Sequence, residues 1–265
     1  MSLNVKITLL ILTILLGRFS ALQAGVAVTN GLSHEVKLAP GEKSRGKIEL
    51  QNSSAKATSV KIYQTDYWFS CTGESRYDEP GNNPRSNVTW ITTGATFLTL
   101  QPNETRSVDF EIAVPAGDTL KGTYWSVIMV EGMAPPDTAS ARRGLNISAV
   151  TRYAVQIITH IGESGISDLQ FLKLELLKKE GNAALQVDMA NPGERALRPA
   201  LELELFDSAG VSLGKIKADR KRIYPGTSSR FLLNLQGIKP GSYTGVLVAD
   251  CDEDHIYGTQ VTVEL

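Results

Sequence analysis

Cysteine, histidine, aromatic rings and any excess of charge of one sign are all scarce in this chain. Its 265 residues include two cysteines and three histidines. Cys71 and Cys251 are too far apart for a Cys-x-x-Cys redox or zinc motif, and His34, His160 and His255 fall in three unrelated segments. There is no nucleophile elbow and no phosphate-cradling glycine loop ahead of a helix. The expectation is a protein that is not an enzyme, with no cofactor and no small-molecule substrate. Lys and Arg number 27 against 28 Asp and Glu. That balance invites neither nucleic acid nor an anionic membrane surface. Past the first residues no segment approaches the roughly 20 apolar residues of a membrane span, so no membrane insertion is expected.

What is present begins with the N-terminus. Lys6 precedes an apolar run from Ile7 to Leu16, and Ala21-Leu-Gln-Ala24 offers a small residue at a cut. This is the pattern of a secretory signal peptide over 1–24, cleaved after Ala24 on export to the periplasm or cell exterior. Removing it takes away Lys6 and Arg18, which leaves 25 basic against 28 acidic residues and a formal net charge of −3. In an oxidising compartment two thiols tend to pair. Cys71 and Cys251 fall in different halves of the chain, so a bridge stapling the halves and two free buried thiols both stay open.

Alternation of period two dominates the rest. Ile48 and Leu50 alternate with polar neighbours, as do Val108, Phe110, Ile112 and Val114, then Leu185, Val187 and Met189, then Leu201, Leu203 and Leu205. Proline-glycine pairs at 40–41, 80–81, 192–193, 225–226 and 240–241 punctuate the runs. One sentence is said twice: a turn, an alternating strand, then Gly122-Thr-Tyr124 or Gly241-Ser-Tyr243 opening another apolar strand. Each copy reads as the late part of an immunoglobulin-like sandwich, where a tyrosine pins a corner. The expected fold is all-β, two tandem immunoglobulin-like β-sandwich domains after the signal peptide, over 25–162 and 163–265. Residues 169–180 are rich in helix formers, but Leu172, Leu174 and Leu176 alternate with charge, and this stretch is read as a strand.

Three groups of residues could carry function. The segment Leu145-Asn-Ile147-Ser-Ala149-Val-Thr151-Arg152, continuing to Ile157, places apolar side chains at every second position behind a long loop over 131–144. As an edge strand it could add to a partner's incomplete sheet, with Leu145, Ile147 and Ala149 filling the partner's groove beside Thr151 and Arg152. The alternative is a surface or cell-wall binding module that uses Tyr67, Trp68, Tyr77 and Trp90. The acidic run Asp250, Asp252 and Asp254 is the best place for a hard cation, but it matches no calcium-loop spacing and no metal is assigned.

The chain resembles the periplasmic pilus-chaperone (PapD-like) superfamily. The resemblance is carried by Gly25-Val-Ala-Val28, the Leu38-Ala-Pro-Gly41 turn, Ile48-Glu-Leu-Gln-Asn52, Tyr124-Trp125-Ser-Val-Ile-Met-Val130, the loop after it, and the strand reaching Thr151-Arg152. It implies two immunoglobulin-like domains set at an angle. It also implies a secreted, fimbria-like protein subunit as partner, held by the strand that contains Leu145, Ile147 and Ala149. The resemblance further implies a basic pair in the cleft between domains. The first-strand position falls near His34 or Glu35 and the donor-strand position at Ala154, so neither cation is present and the chain reads as a divergent branch.

Overall fold

The computed structural model describes residues 25–133, 150–179, 182–252 and 254–265. The signal-peptide reading over 1–24 and the proposed donor residues Leu145, Ile147 and Ala149 lie outside these. Among the described residues no helix is long and apolar enough to cross a membrane. Eleven strands form the first half: β1 (Val26–Val28), β2 (Ser33–Leu38), β3 (Lys43–Asn52), β4 (Thr58–Thr65), β5 (Trp68–Phe69), β6 (Ser75–Arg76), β7 (Ile91–Thr93), β8 (Phe97–Leu100), β9 (Thr105–Ala113), β10 (Gly122–Gly132) and β11 (Arg152–Ile161). Seven follow: β12 (Gln170–Lys179), β13 (Asn182–Ala190), β14 (Ala200–Phe206), β15 (Ser212–Lys217), β16 (Ser228–Asn234), β17 (Ser242–Asp252) and β18 (His255–Glu264).

The first sandwich packs the sheet β1-β3-β9-β7 against β2-β11-β10-β4-β8. The alternating residues supply its core: Ile48, Leu50, Val108, Phe110 and Ile112 meet Val60, Ile62, Ile128, Val130, Val155 and Ile157. The second packs β12-β13-β16 against β15-β14-β17-β18 around Leu185, Val187, Met189, Phe231 and Leu233 on one side and Leu201, Leu203, Leu205 and Leu247 on the other. Each buried Val, Leu or Ile is worth about 1.5–3 kcal/mol. Residues 170–179 run as a strand paired with β13, Leu176 opposite Leu185; Phe171 and Leu176 lean on the second core, while Leu172, Leu174 and Leu177 are exposed. The two corner tyrosines differ. Tyr243 donates its hydroxyl to the Lys239 carbonyl at 2.8 Å, the expected pin. Tyr124 instead packs against Trp90, ring centres 4.6 Å apart, beneath the Arg85 guanidinium.

The start of the chain changes sheets. β1 pairs antiparallel with β3, Val26 opposite Asn52, whereas β2 pairs parallel with β11, Ser33 opposite Gln156 through Leu38 opposite Ile161. The crossing is held by Asn30, whose amide donates to the Lys47 carbonyl at 2.8 Å and accepts from the Glu49 N–H at 2.9 Å. β2 therefore covers only the latter part of β11.

The sandwiches meet along a seam of fixed contacts. Trp125 of β10 stacks on Tyr224, centroids 4.5 Å apart and 6° from parallel, and both rings are buried. The Trp125 indole donates to the Tyr67 carbonyl at 2.7 Å, and Phe69 meets the Tyr224 ring edge. The β5–β6 hairpin reaches across as well: the Trp68 indole donates to the Gly226 carbonyl at 3.1 Å and the Cys71 N–H to Ser228 Oγ at 2.9 Å. Buried Asp66 organises the loop behind the hairpin by accepting from the Asn83 N–H at 2.7 Å and from the Ser86 hydroxyl. Both cysteines are free. Burial, with Asp252 and Asp250 beside it, pushes the Cys251 thiol up to about 12.

Where β10 begins, the backbones touch. The Thr123 N–H donates to the Glu194 carbonyl at 2.8 Å, and Gly122 sits at φ +75 with that carbonyl oxygen 2.1 Å from where a Cβ would stand. Gly122→Ala is expected to destabilise the protein by on the order of 1–3 kcal/mol, because the left-handed backbone and the carbonyl both reject a side chain. The check is a lowered melting temperature together with a changed interdomain geometry in small-angle scattering. Wild-type values in both would show that the seam gives freely.

Candidate functional site: a half-covered strand edge

β11 lies between β10 and β2, but its first four residues, Arg152 to Val155, have β10 on one side only. The direction of their backbone groups follows from the ladder. The Gly132 N–H donates to the Thr151 carbonyl at 3.0 Å, so Thr151 faces β10, while the Gln156 N–H turns the other way, to the Leu32 carbonyl at 2.9 Å. Antiparallel pairing alternates residue by residue. The N–H and C=O of Arg152 and Ala154 therefore point to the open side, where no described group takes them. Val155 and Ile157 are fully buried in the first core, so the exposed part is the backbone edge rather than that row of side chains.

The edge carries a surface ion pair on its outer face. Arg152 donates to Glu131 Oε1 at 2.9 Å, and Glu131 Oε2 accepts the Tyr63 hydroxyl at 2.7 Å. These bonds, that from Tyr63 foremost, hold the Glu131 carboxyl below its ordinary range. Burial, and then the Glu131 bond, raises Tyr63. Arg152 is thus a paired surface cation, not an isolated one.

Past the open stretch, beside the part of β11 that β2 covers, a polar relay links the two sandwiches. The Ala196 N–H donates to Thr123 Oγ at 2.8 Å, Thr123 Oγ lies 2.9 Å from His160 Nδ1, and His160 Nε2 lies 2.6 Å from Glu35. Arg222, from the second sandwich, donates to Glu35 and, at 3.2 Å, to Ser33 Oγ. The His160 hydrogen bond first, then the charge of Arg222, hold the Glu35 carboxyl low against the opposing effect of burial. Tyr224 donates its hydroxyl to Gln156 Oε1 at 2.5 Å, and burial pushes that phenol up to about 12. The cleft therefore has a cation, Arg222, at a position the sequence reading missed. Its only signal was Lys221-Arg222 ahead of the Pro225-Gly226 turn, ordinary for an exposed loop.

The remaining sequence-level candidates are dispersed. Trp90 is 8% exposed within the first core. Tyr67 is half-buried in the seam, stacked on Tyr77, and Trp68 lies beneath the Arg76 guanidinium at 4.3 Å with its N–H spent on Gly226. Of the four rings only Tyr77 is exposed, so they do not make one open aromatic face. Asp252 accepts from the Asp254 N–H at 3.1 Å and lies 2.6 Å from His255 Nδ1. Among the described residues no three acidic, histidine or cysteine side chains converge as metal ligands; Glu253 is outside them.

No family model matches the chain, and no curated protein does. Among solved structures, the class 5 fimbriae chaperone CfaA is similar at 14% identity and TM-score 0.49, over 89% of this chain and 98% of that one. A chaperone–tip adhesin complex of CFA/I fimbriae biogenesis gives 15% and 0.48, over 90% and 98%. The CsuC–CsuE chaperone–tip subunit pre-assembly complex from Acinetobacter baumannii gives 12% and 0.44, over 90% and 98%.

One half-buried group at this end sets an acid response. His34 points inward from β2 with its ring edge on Phe110, centroids 5.5 Å apart, and its Nε2 is buried with no partner among the described residues. Burial holds its pKa below the usual 6.5. A depressed histidine pKa contributes stability that is complete above about 6.5 and lost as pH falls toward the folded-state value. Wild type is therefore expected to lose melting temperature between pH 7 and 5 faster than His34→Leu does. Glu35, also held low, would add its loss only below about 4.5. Parallel wild-type and His34→Leu curves through that range would contradict the assignment.

Proposed function

We propose that this chain is a non-enzymatic, exported chaperone or adaptor for secreted surface-structure subunits, working by strand addition along the open edge of β11. The observation that carries the reading is that the N–H and C=O of Arg152 and Ala154 face outward with no partner among the described residues. They stand on a strand whose core-side row, Val155 and Ile157, is already buried. An extended subunit segment entering there would gain main-chain hydrogen bonds in sequence with those that β2 makes further along. Specificity would come from the alternating apolar residues Leu145, Ile147 and Ala149 of the segment before Thr151. Glu131 and Tyr63 hold Arg152 in place at the mouth of this track, and Arg222 sets a positive group at its floor. A carboxylate or carbonyl of the bound segment would have to compete with Glu35 and Ser33 for Arg222, the cation that stands in place of the pair the family resemblance implies.

The test is photo-crosslinking from Val150 or Thr151 in the exported protein, with and without Ala154→Pro. Proline removes the outward N–H of Ala154 and leaves the ladder to β10 intact. Capture of a secreted subunit is expected in wild type and in Ala154→Ser, with at least a tenfold loss in Ala154→Pro at an unchanged melting temperature. Capture that ignores the proline, or that runs through Tyr77 instead, would favour a surface-binding module and end this reading.

A further inference from the structure

β18 is the last strand of its sheet, and it differs from the other free edges among the described residues. β1 and β7 have three residues each and β8 has four. β2 carries Glu35 and Lys37, β15 carries Lys215 and Lys217, and β16 carries Arg230. β12 is as long as β18, but it holds Lys173, Glu175 and Lys178 and is broken by a register shift between Phe171 and Lys173. Short length, charge and bulges are the means by which natural edges avoid pairing with other chains. Over Ile256-Tyr-Gly-Thr-Gln-Val-Thr-Val263, β18 has none of them: no charge, no proline, and a register with β17 that shifts only before Ile256.

The open side can be assigned residue by residue. Gly241 and Leu265 exchange both backbone hydrogen bonds, at 3.2 and 2.9 Å, so Leu265 faces β17. By alternation the N–H and C=O of Ile256, Gly258, Gln260 and Thr262 face away from it. No described group bonds them. Ile256 is 63% exposed on the outer face beside this row, and Val246, opposite Gln260, is 42% exposed. Eight residues of strand offer a track of about 26 Å.

We infer that β18 is a second strand-addition edge, and that its occupant is an uncharged, alternating segment of another protein flanked at both ends by basic residues. The flanks follow from charge. One end of the track carries Asp250, Asp252 and Asp254, and the other carries Glu264, bonded to Ser242 Oγ at 2.5 Å. Those ends disfavour a second copy of this chain. Antiparallel self-pairing about Gln260 brings the acidic turn of one copy to Glu264 of the other, and parallel pairing sets acidic turn on acidic turn. Lysine or arginine flanks turn the same charges into attraction, as opposite charges across an interface do generally.

The probe is a synthetic peptide of six alternating Thr and Val residues between two pairs of lysines, added to the full chain. Its partner is the same peptide flanked by glutamates. Amide exchange by NMR is expected to slow at Ile256, Gly258, Gln260 and Thr262, with about tenfold or greater preference for the lysine form. Gln260→Pro should abolish that protection, and Ala154→Pro should leave it unchanged, which separates this edge from the one on β11. Equal binding of both peptides would overturn the charge argument. Protection at Arg152 and Ala154 instead would assign the binding to β11 alone. A concentration-dependent dimer lost in Gln260→Pro would make the occupant a second copy, and no binding at all would leave β18 an unused edge. Each of these four results rejects the inference.

Discussion

The whole arrangement depends on where the first strand leaves one sheet for the other. Had residues 26–38 stayed paired with β3, β11 would have been an uncovered edge along its entire length. Had they paired with β11 throughout, that strand would have had no free edge. Asn30 decides between these by binding both the carbonyl of Lys47 and the N–H of Glu49, which ties the chain to β3 just before β2 begins. A single side chain that satisfies two backbone groups at a crossing is inexpensive, since those groups would otherwise need water. Its effect is to expose a short run of backbone on a strand that is anchored by core packing at its other end.

The second constraint is the seam. An open edge recognises a partner well only if the ground beneath it does not move, because ordering a loose site costs binding free energy. The stacked Trp125 and Tyr224, the Trp68 and Cys71 contacts from the β5–β6 hairpin, and the backbone approach at Gly122 tie the second sandwich to the same sheet that carries β11. The aromatic block around 63–91 is therefore mostly structural. It fills the junction, and it delivers Tyr67 and Phe69 to a small cluster with Trp125, Ile158 and Tyr224 that belongs to neither main core.

How much of this was legible beforehand varies with the range of the interaction. Period-two alternation and proline-glycine turns are local, and they marked both sandwiches, down to the strand over 170–179. The repeated Gly-x-Tyr was legible as a pattern but not as a contact. Only Tyr243 makes the corner bond, because Trp90 occupies the space beside Tyr124. The alternation over 145–157 fits an edge strand and an ordinary last strand of the sandwich alike. A parallel pairing between residues more than a hundred positions apart covers its last part, and nothing local announces that. Arg222 was invisible for the same reason: its partners Glu35 and Ser33 stand 187 and 189 positions away. The cysteines, left open between bridge and free thiols, are free, with Cys71 turned to the seam and Cys251 partly buried in the second core.

The two open edges illustrate a general balance. A solvated edge N–H or C=O costs nothing while water reaches it, and each hydrogen bond gained from a partner is worth only about 0.5–1.5 kcal/mol net. Ordering each residue of an incoming strand costs about 1–2 kcal/mol of backbone entropy. Backbone pairing alone therefore hardly holds a flexible segment, and side chains must supply the surplus. On β11 the described stretch offers little apolar surface of its own, since Val155 and Ile157 are buried and Arg152 is paired with Glu131. A partner strand added at that edge would need its surplus from apolar residues before Thr151 or from groups over the cleft floor. On β18 the reverse holds: exposed Ile256 and Val246 lie along the track and the charges stand at its ends. The edge of β18 thus carries apolar and charged groups within its own strand and turn, whereas the open stretch of β11 carries chiefly backbone groups.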